Sequence, residues 1–113
     1  MNFAKLLAAA LLLAVCAITA RAETMSEQAD RQYRAGAFEE AISLYREMAR
    51  QEPGNLFNYY NLGNAYFKTA RTGRAVANYY RAFQLLPRNP DIRHNLAFAL
   101  NATGGRLIPE GMP

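Results

Sequence analysis

The sequence predicts an all-α protein built from repeated pairs of helices, and three observations lead to that prediction. The 113-residue chain resembles itself after a shift of 34 residues, and a fixed period across several residue types is typical of internal duplication. Apolar residues recur at helical spacing through residues 59–87. No segment shows the alternation of polar and apolar residues that indicates a strand. The aligned pairs are Ala41 with Ala75, Tyr45 with Tyr79, Met48 with Ala82, and Pro53 with Pro87.

Residues 59–87 are predicted to form a hairpin of two amphipathic helices. Each helix carries one apolar stripe, because its core residues recur at helical spacing. Small residues at Gly63, Ala75 and Ala82 would let the two backbones approach closely. A hairpin of this size cannot bury both of its faces, so it is expected to pack against neighbouring helices. The stripes are Tyr59, Leu62, Gly63 and Tyr66 in the first helix, and Ala75, Tyr79, Ala82 and Leu86 in the second.

Local signals set the expected ends of the other helices. Thr24 begins a capping box, and Gly36 is a typical helix stop before a second helix over residues 38–51. Asn89 followed by Pro90 predicts the start of the last helix, which should end near residue 102. The predicted repeat domain covers residues 23–103, with complete units at 22–55 and 56–89, a partial unit at 90–103 and a flexible tail at 104–113.

The N-terminus has the pattern of a secretory signal peptide over residues 1–22. One lysine precedes an uncharged apolar run at residues 6–18, and a small-x-small cleavage site ends at Ala22. The protein is therefore expected to be exported to the periplasm. A membrane anchor is the alternative, although 13 apolar residues fall short of the roughly 20 that span a bilayer. Lipid attachment at Cys16 is a further alternative, although Val15 is an unusual residue before a lipidated cysteine.

Charge is unevenly distributed along the chain. Removal of residues 1–22 would lower the net charge from +4 to +2, so the basic composition is weak support for nucleic-acid binding. Residues 23–53 carry a net charge of −3, whereas residues 54–113 carry +5. Solvated faces explain such a pattern, and contact between acidic and basic ends of two molecules is the alternative.

The residues at the 34-residue period resemble those of the tetratricopeptide repeat family. This resemblance implies a right-handed helical repeat, a fragment of an α-solenoid with two complete helix-turn-helix units and one further helix. Ala70 departs from the glycine that usually makes the turn between the helices of a unit, and Gly73 is expected to take over that turn. The resemblance is carried by Ala29, Gly36, Phe38, Ala41, Tyr45 and Pro53 in the first unit, and by Tyr59, Leu62, Gly63, Tyr66, Ala75, Tyr79, Ala82 and Pro87 in the second.

A narrower resemblance is carried by the stretches YNLGNAYFK and GRAVANYYRAFQLLPRNPDIRHNLAFAL. They are similar to the repeat region of Bat-type bacterial aerotolerance proteins. Longer members of that group carry membrane helices after the repeats. This resemblance implies a role in cell-envelope stress or assembly, for a chain that is either a short relative or part of a longer protein.

In tetratricopeptide repeats the first helix of each unit lines a concave groove, and the resemblance implies that this groove binds a protein or peptide segment. Amide side chains can donate to and accept from an extended peptide backbone, and aromatic rings offer apolar contact area. Alternatively, Asn61 and Asn64 stabilise the hairpin internally and some aromatic residues pack between units. The groove residues are Tyr33, Tyr60, Asn61, Asn64, Phe67, Lys68, His94, Asn95 and Phe98.

Residue types that carry catalysis are scarce. The sequence after residue 22 has one histidine and no cysteine, and it offers no spacing for a serine, histidine and acid triad. His94 and Asp91 are interpreted as a surface pair rather than as two metal ligands. Arg81 lies beside two tyrosines, but Tyr79 is assigned to the core, so nucleic-acid binding is not predicted. The sequence therefore predicts a non-enzymatic protein-binding module without cofactor or metal.

The last predicted helix has no following helix to cover one apolar side, which is predicted to hold Phe98 and Ala99. Repeat arrays usually end in a polar cap. Leu107 and Ile108 of the tail, a second copy of the chain, or a subunit of a membrane complex are the expected covers. The alternative function is therefore an assembly subunit that oligomerises or docks through this end.

Overall fold

The computed structural model describes residues 2–19 and 22–104 of the chain. Within that part the protein is all-α and contains no strand. This confirms the predicted fold class of an all-α helical repeat. The helices are α1 (Phe3–Thr19), α2 (Met25–Arg34), α3 (Phe38–Gln51), α4 (Leu56–Lys68), α5 (Thr72–Leu85) and α6 (Pro90–Ala102).

Side-chain caps fix the starts of α2 and α6. The Thr24 hydroxyl accepts a hydrogen bond from the backbone N–H of Glu27 at 3.1 Å, as the capping-box prediction requires. The Asn89 side chain accepts from two backbone N–H groups of the first turn, each at 3.0 Å. Pro90 occupies the first helical position, where no N–H needs a partner. The predicted bounds of α3 and α6 are confirmed.

Each helix from α2 to α6 packs against the next one along the chain. Stacking of consecutive helices buries one continuous core, as expected of a repeat. The predicted stripes of the central hairpin α4–α5 are buried, apart from the last residue of the second stripe. The alanines with 0% exposure, which leave room for close helix contacts, are Ala29, Ala41, Ala65, Ala75, Ala82 and Ala99.

The helices of the central hairpin approach each other closely at Gly63. A Cβ atom at this position would lie 2.5 Å from both Cδ1 and Cε1 of the Tyr79 ring. The face of that ring therefore occupies the space that any other residue would need for its side chain. This contact confirms that a small residue at position 63 lets α4 and α5 pack closely.

The 34-residue period is visible in a pair of hydrogen bonds. The Tyr45 hydroxyl on α3 donates to Asp30 Oδ1 on α2 at 2.6 Å. The Tyr79 hydroxyl on α5 donates to Asn64 Oδ1 on α4 at 2.5 Å. Because both pairs are separated by 15 residues, each unit ties its second helix to its first at the same place.

The two turns inside the units also correspond. Gly36 and Ala70 both have a left-handed backbone, with φ of 78° and 59°. In each turn the next residue donates its N–H to a carbonyl five residues earlier, at 2.9 Å, which is the Schellman arrangement. Gly73 lies inside α5, so the expectation that it makes the turn is wrong. The hairpin requires a left-handed residue at position 70, and the alanine there adopts that conformation.

Two apolar residues differ from their predicted positions. Leu86 is 43% exposed rather than buried, because α5 ends at Leu85 and the proline that follows Leu86 disfavours a helical conformation there. Ala99 is fully buried, because it shares a stripe with Ile92 and Leu96 at helical spacing. Of the two residues predicted on the uncovered side of α6, only Phe98 is exposed, at 58%.

The N-terminal helix α1 exposes its side chains throughout residues 2–14. Over the ranges that the structure describes, no helix combines the length and hydropathy needed to cross a membrane. Ala20 and Arg21 of the predicted cleavage site lie outside the described residues, as do Leu107 and Ile108 of the tail. Signal-peptide cleavage and the alternative of lipidation at Cys16 therefore stay predictions.

Candidate functional site

A concave pocket of about 270 Å³ lies between the first helices of the units. We call this surface the amide groove. It brings together seven of the nine residues assigned to the groove from the sequence and adds Tyr79. Its lining residues are Tyr33 on α2, Asn64, Phe67 and Lys68 on α4, Tyr79 on α5, and His94, Asn95 and Phe98 on α6.

The other two predicted groove residues differ in their relation to the pocket. Tyr60 lies at its edge, where its hydroxyl accepts a hydrogen bond from Asn95 Nδ2 at 3.1 Å. Asn61 is half-buried and does not line the pocket. The helical period explains the difference, because successive residues on α4 point about 100° apart. The structure thus assembles the predicted surface without Asn61.

Hydrogen bonds connect α4, α5 and α6 beneath the amide groove. Asn64 Oδ1 accepts from the Tyr79 hydroxyl at 2.5 Å and from Asn95 Nδ2 at 3.2 Å. Because Asn95 also donates to Tyr60, one amide of α6 is tied to two positions of α4. Asn64 therefore has an internal role as well as a place in the groove lining.

Each amide keeps one polar atom for other contacts. Within the described part of the chain, Asn64 Nδ2 and Asn95 Oδ1 have no hydrogen-bond partner. The first is a donor and the second an acceptor. These two atoms complement the carbonyl and the N–H of a peptide backbone.

Aromatic side chains supply the apolar part of the groove. The rings of Phe67 and Phe98 lie 5.4 Å apart at an angle of 60°, a geometry that is favourable for aromatic pairs. Phe98 is 58% exposed, while Phe67 and Tyr33 are half-buried. A ligand would therefore cover ring surface that now faces solvent.

Burial changes the ionisation of the tyrosines at the groove. The pKa of Tyr79 is raised, first by burial and then by its proximity to Tyr60 and Tyr33. The pKa of Tyr33 is raised by burial and by Tyr60. Both phenols therefore stay neutral at ordinary pH and act as hydrogen-bonding groups.

A larger concavity, about 790 Å³, lies on the other side of α4, between α3 and α5. We call it the arginine groove, since Arg46, Arg50, Arg74 and Arg81 line it over a floor that includes Tyr59 and Tyr66. This surface was not among the sequence-based predictions. Residue spacing could have predicted it. Tyr59 and Tyr66 lie seven residues apart on one helix, and Arg74 and Arg81 lie seven apart on the next, so each pair shares a helix face.

Among the described residues, no group of three histidine, cysteine, aspartate or glutamate side chains could hold a metal ion. His94 is exposed on α6 at the rim of the amide groove. The described residues around it supply amides, aromatic rings and the ammonium group of Lys68. Such groups bind by hydrogen bonding and apolar contact.

The chain is 35% identical over 65 residues to serine/threonine-protein phosphatase 5 of Mus musculus, a stretch that covers 58% of this chain and 13% of that protein. No protein-family model matches the chain. The matched length is close to two of the 34-residue units. This similarity and the stacked all-α fold are compatible with the tetratricopeptide resemblance.

Proposed function

We propose that this protein is a non-enzymatic interaction module of the tetratricopeptide type, which binds a segment of a partner protein in the amide groove. The observation that carries the proposal is the pairing of an amide donor on Asn64 with an amide acceptor on Asn95, neither of which has a partner among the described residues, beside partly exposed aromatic rings. Backbone hydrogen bonds would hold the segment, and the rings would contact its apolar side chains.

The phosphatase activity in the name of the mouse relative belongs to a protein of which the match spans 13%. We assign to this chain the binding role and not that reaction, because helices carrying amides and aromatic rings suit recognition of a chain segment. The module therefore acts as an adaptor or scaffold.

We place this adaptor in the periplasm, after cleavage of the signal peptide at Ala22. The apolar run of residues 6–18 and the small-x-small site support that location. The resemblance to Bat-type proteins supports a role in cell-envelope stress or assembly. Fractionation of cells that produce the protein, with sequencing of its mature N-terminus, tests both points.

Selection from a displayed peptide library tests the amide groove. Phe98→Ala should weaken binding of the selected peptides about tenfold, in line with losses at buried interface aromatics. Phe57→Ala is the matched control, because Phe57 is similarly exposed, at 63%, and lies outside the groove. Side-chain amide signals of Asn64 and Asn95 should shift in NMR spectra on peptide addition.

Equal loss of affinity in the Phe98→Ala and Phe57→Ala variants would count against the amide groove. Unchanged amide signals during saturable binding would place the peptide elsewhere on the protein.

An assembly subunit that oligomerises or docks on a membrane complex is the second candidate. Exposed apolar side chains on the C-terminal half favour it, since Leu85 and Leu86 are 44% and 43% exposed and Phe98 is 58% exposed. Light scattering over a range of protein concentrations tests self-association. A monomer at all concentrations would remove the homo-oligomer.

A further inference from the structure

The arginine groove holds more positive charge than its own acids neutralise. Among the described residues, four arginines line it, and Glu47 is the one acidic residue in the lining. Arg50 forms an ion pair with Glu47, in which Arg50 Nε donates a 2.9 Å hydrogen bond to Glu47 Oε2. In the described ranges, Arg46, Arg74 and Arg81 have no carboxylate partner.

Two of these arginines are held in place by aromatic rings. The guanidinium carbon of Arg74 lies 5.7 Å from the centre of the Tyr66 ring, and that of Arg81 lies 5.8 Å from the centre of the Tyr59 ring. Such cation–π contacts orient the planar guanidinium while its N–H groups remain available. The groove therefore presents two oriented donors.

The spacing of Arg74 and Arg81 indicates how far apart the carboxylates of a ligand should be. They lie seven residues apart on α5, which corresponds to about 10 Å along the helix axis. A polyproline II peptide has three residues per turn and rises about 9 Å per turn, so its side chains at positions i and i+3 share one face. Carboxylates at that spacing can meet both guanidinium groups, and arginine binds a carboxylate through two parallel hydrogen bonds.

We infer that the arginine groove is a second binding site, which takes an extended acidic peptide segment with a carboxylate at every third residue. It lies across α4 from the amide groove. The site is independent of the proposed function, because its arginines and tyrosines do not line the amide groove.

The floor of the groove favours a peptide over nucleic acid. Tyr59 and Tyr66 are only 9% and 4% exposed, and arginines lie over their rings. Bases of a single strand need open aromatic faces for stacking. A membrane surface is disfavoured as well, because none of the described residues that line the arginine groove is a large apolar residue exposed for insertion.

Fluorescence anisotropy tests the inference with the full chain and a labelled peptide of Glu-Pro-Pro repeats. The peptide should bind with an affinity that falls as salt is raised. The double variant Arg74→Gln with Arg81→Gln should lose about tenfold or more in affinity, because two charge-assisted contacts are removed. Arg46→Gln should weaken binding without touching either ring.

Matched controls distinguish the loss of contacts in the arginine groove from a general effect of net charge. Arg88→Gln with Arg93→Gln makes the same change in net charge at exposed positions outside the groove, and it should change the affinity less than about twofold. A Gln-Pro-Pro peptide should not bind. Phe98→Ala, which tests the amide groove, should leave binding of the acidic peptide unchanged.

Absence of binding, or equal losses in the two double variants, would overturn the inference. Tighter binding of a single-stranded oligonucleotide or of anionic lipid vesicles would assign the groove to those ligands instead. Self-association that the acidic peptide displaces would assign it to a second copy of the chain.

Discussion

The first unit, α2 with α3, and the second, α4 with α5, tie their helices together through a tyrosine at the same position but with different partners. Tyr45 donates to the carboxylate of Asp30, whereas Tyr79 donates to the amide of Asn64. A carboxylate only accepts hydrogen bonds, while an amide also donates. The second unit therefore keeps a donor for a further contact, which the first unit lacks at this position.

The units also differ beside these tyrosines. Ala29 in the first unit corresponds to Gly63 in the second, where the Tyr79 ring takes the space of a side chain. Gly36 corresponds to Ala70, and both are left-handed. The comparison teaches that the repeat preserves backbone geometry and lets the side chains vary with their local neighbours.

The largest expected effect comes from Gly63→Ala. Overpacking against two ring carbons should cost near the upper end of about 1–3 kcal/mol, which exceeds the gain of about 1 kcal/mol in helix propensity. We expect a net loss of about 2 kcal/mol in the free energy of unfolding, measured with urea. Ala29→Gly is the matched change in the first unit and should cost about 1 kcal/mol. A more stable Gly63→Ala variant would show that the ring can move aside.

Removal of the tyrosine hydroxyls should distinguish the two hydrogen bonds. Tyr45→Phe should cost about 1.5 kcal/mol, because its acceptor is a carboxylate, and Tyr79→Phe should cost about 1 kcal/mol. Urea unfolding of the two variants measures the difference. A larger loss for Tyr79→Phe would mean that the amide network contributes more than the single bond to Asp30.

High pH should weaken the fold through the same two residues. Burial raises the pKa of both Tyr45 and Tyr79 above the ordinary value of about 10, so the folded state favours the neutral phenols. Their contribution is fully present below about pH 10 and is lost as the pH rises above it. Urea titrations from pH 8 to 11 should show this loss, and Tyr45→Phe should reduce it. A slope unchanged by that substitution would contradict the assignment.

Exchange of the turn residues should give effects of opposite sign. Gly36→Ala should cost about 1 kcal/mol, because a left-handed backbone strains a residue with a Cβ atom. Ala70→Gly should gain about 0.5 kcal/mol, since relief of that strain outweighs the greater entropy of glycine in the unfolded chain. Thermal unfolding measures both. Loss of stability in Ala70→Gly would show that the alanine makes a contact worth more than the strain.

The smallest effect is expected from the ion pair between the units. Glu39 on α3 pairs with Arg71 at the start of α5, and both side chains are substantially exposed. Glu39→Gln should cost about 0.5 kcal/mol at low salt, and the loss should disappear at about 1 M salt. Glu40→Gln is the adjacent control on the same helix. Equal losses in both variants would indicate an effect of net charge.

Much of the fold could be predicted because its signals are local. Thr24 and Asn89 cap helices through atoms a few residues away, so the pattern alone locates the helix starts. Gly36 could be recognised as a helix stop for the same reason. The prediction for Leu86 was wrong although the signal is local, since the proline that follows it disfavours a helical backbone at that residue.

The candidate site could be predicted only in part. The tetratricopeptide resemblance implies which positions of each first helix face the groove, and seven of the eight lining residues are among the positions it implied. It could not show that the Asn64 side-chain oxygen accepts hydrogen bonds from Tyr79 and Asn95. Those bonds join three helices, and their geometry depends on how the helices pack.

By itself, the sequence determined the helices, most of their bounds, the repeat and the core stripes of the central hairpin up to Ala82, because periodicity and capping act within a few residues along the chain. Tertiary structure decided which amide atoms in the amide groove lack a partner within the described ranges, and it brought arginines of α3 and α5 into one groove. It also placed Ala70 in a left-handed turn. These features depend on contacts between separate helices, and such contacts exist only once the helices have packed.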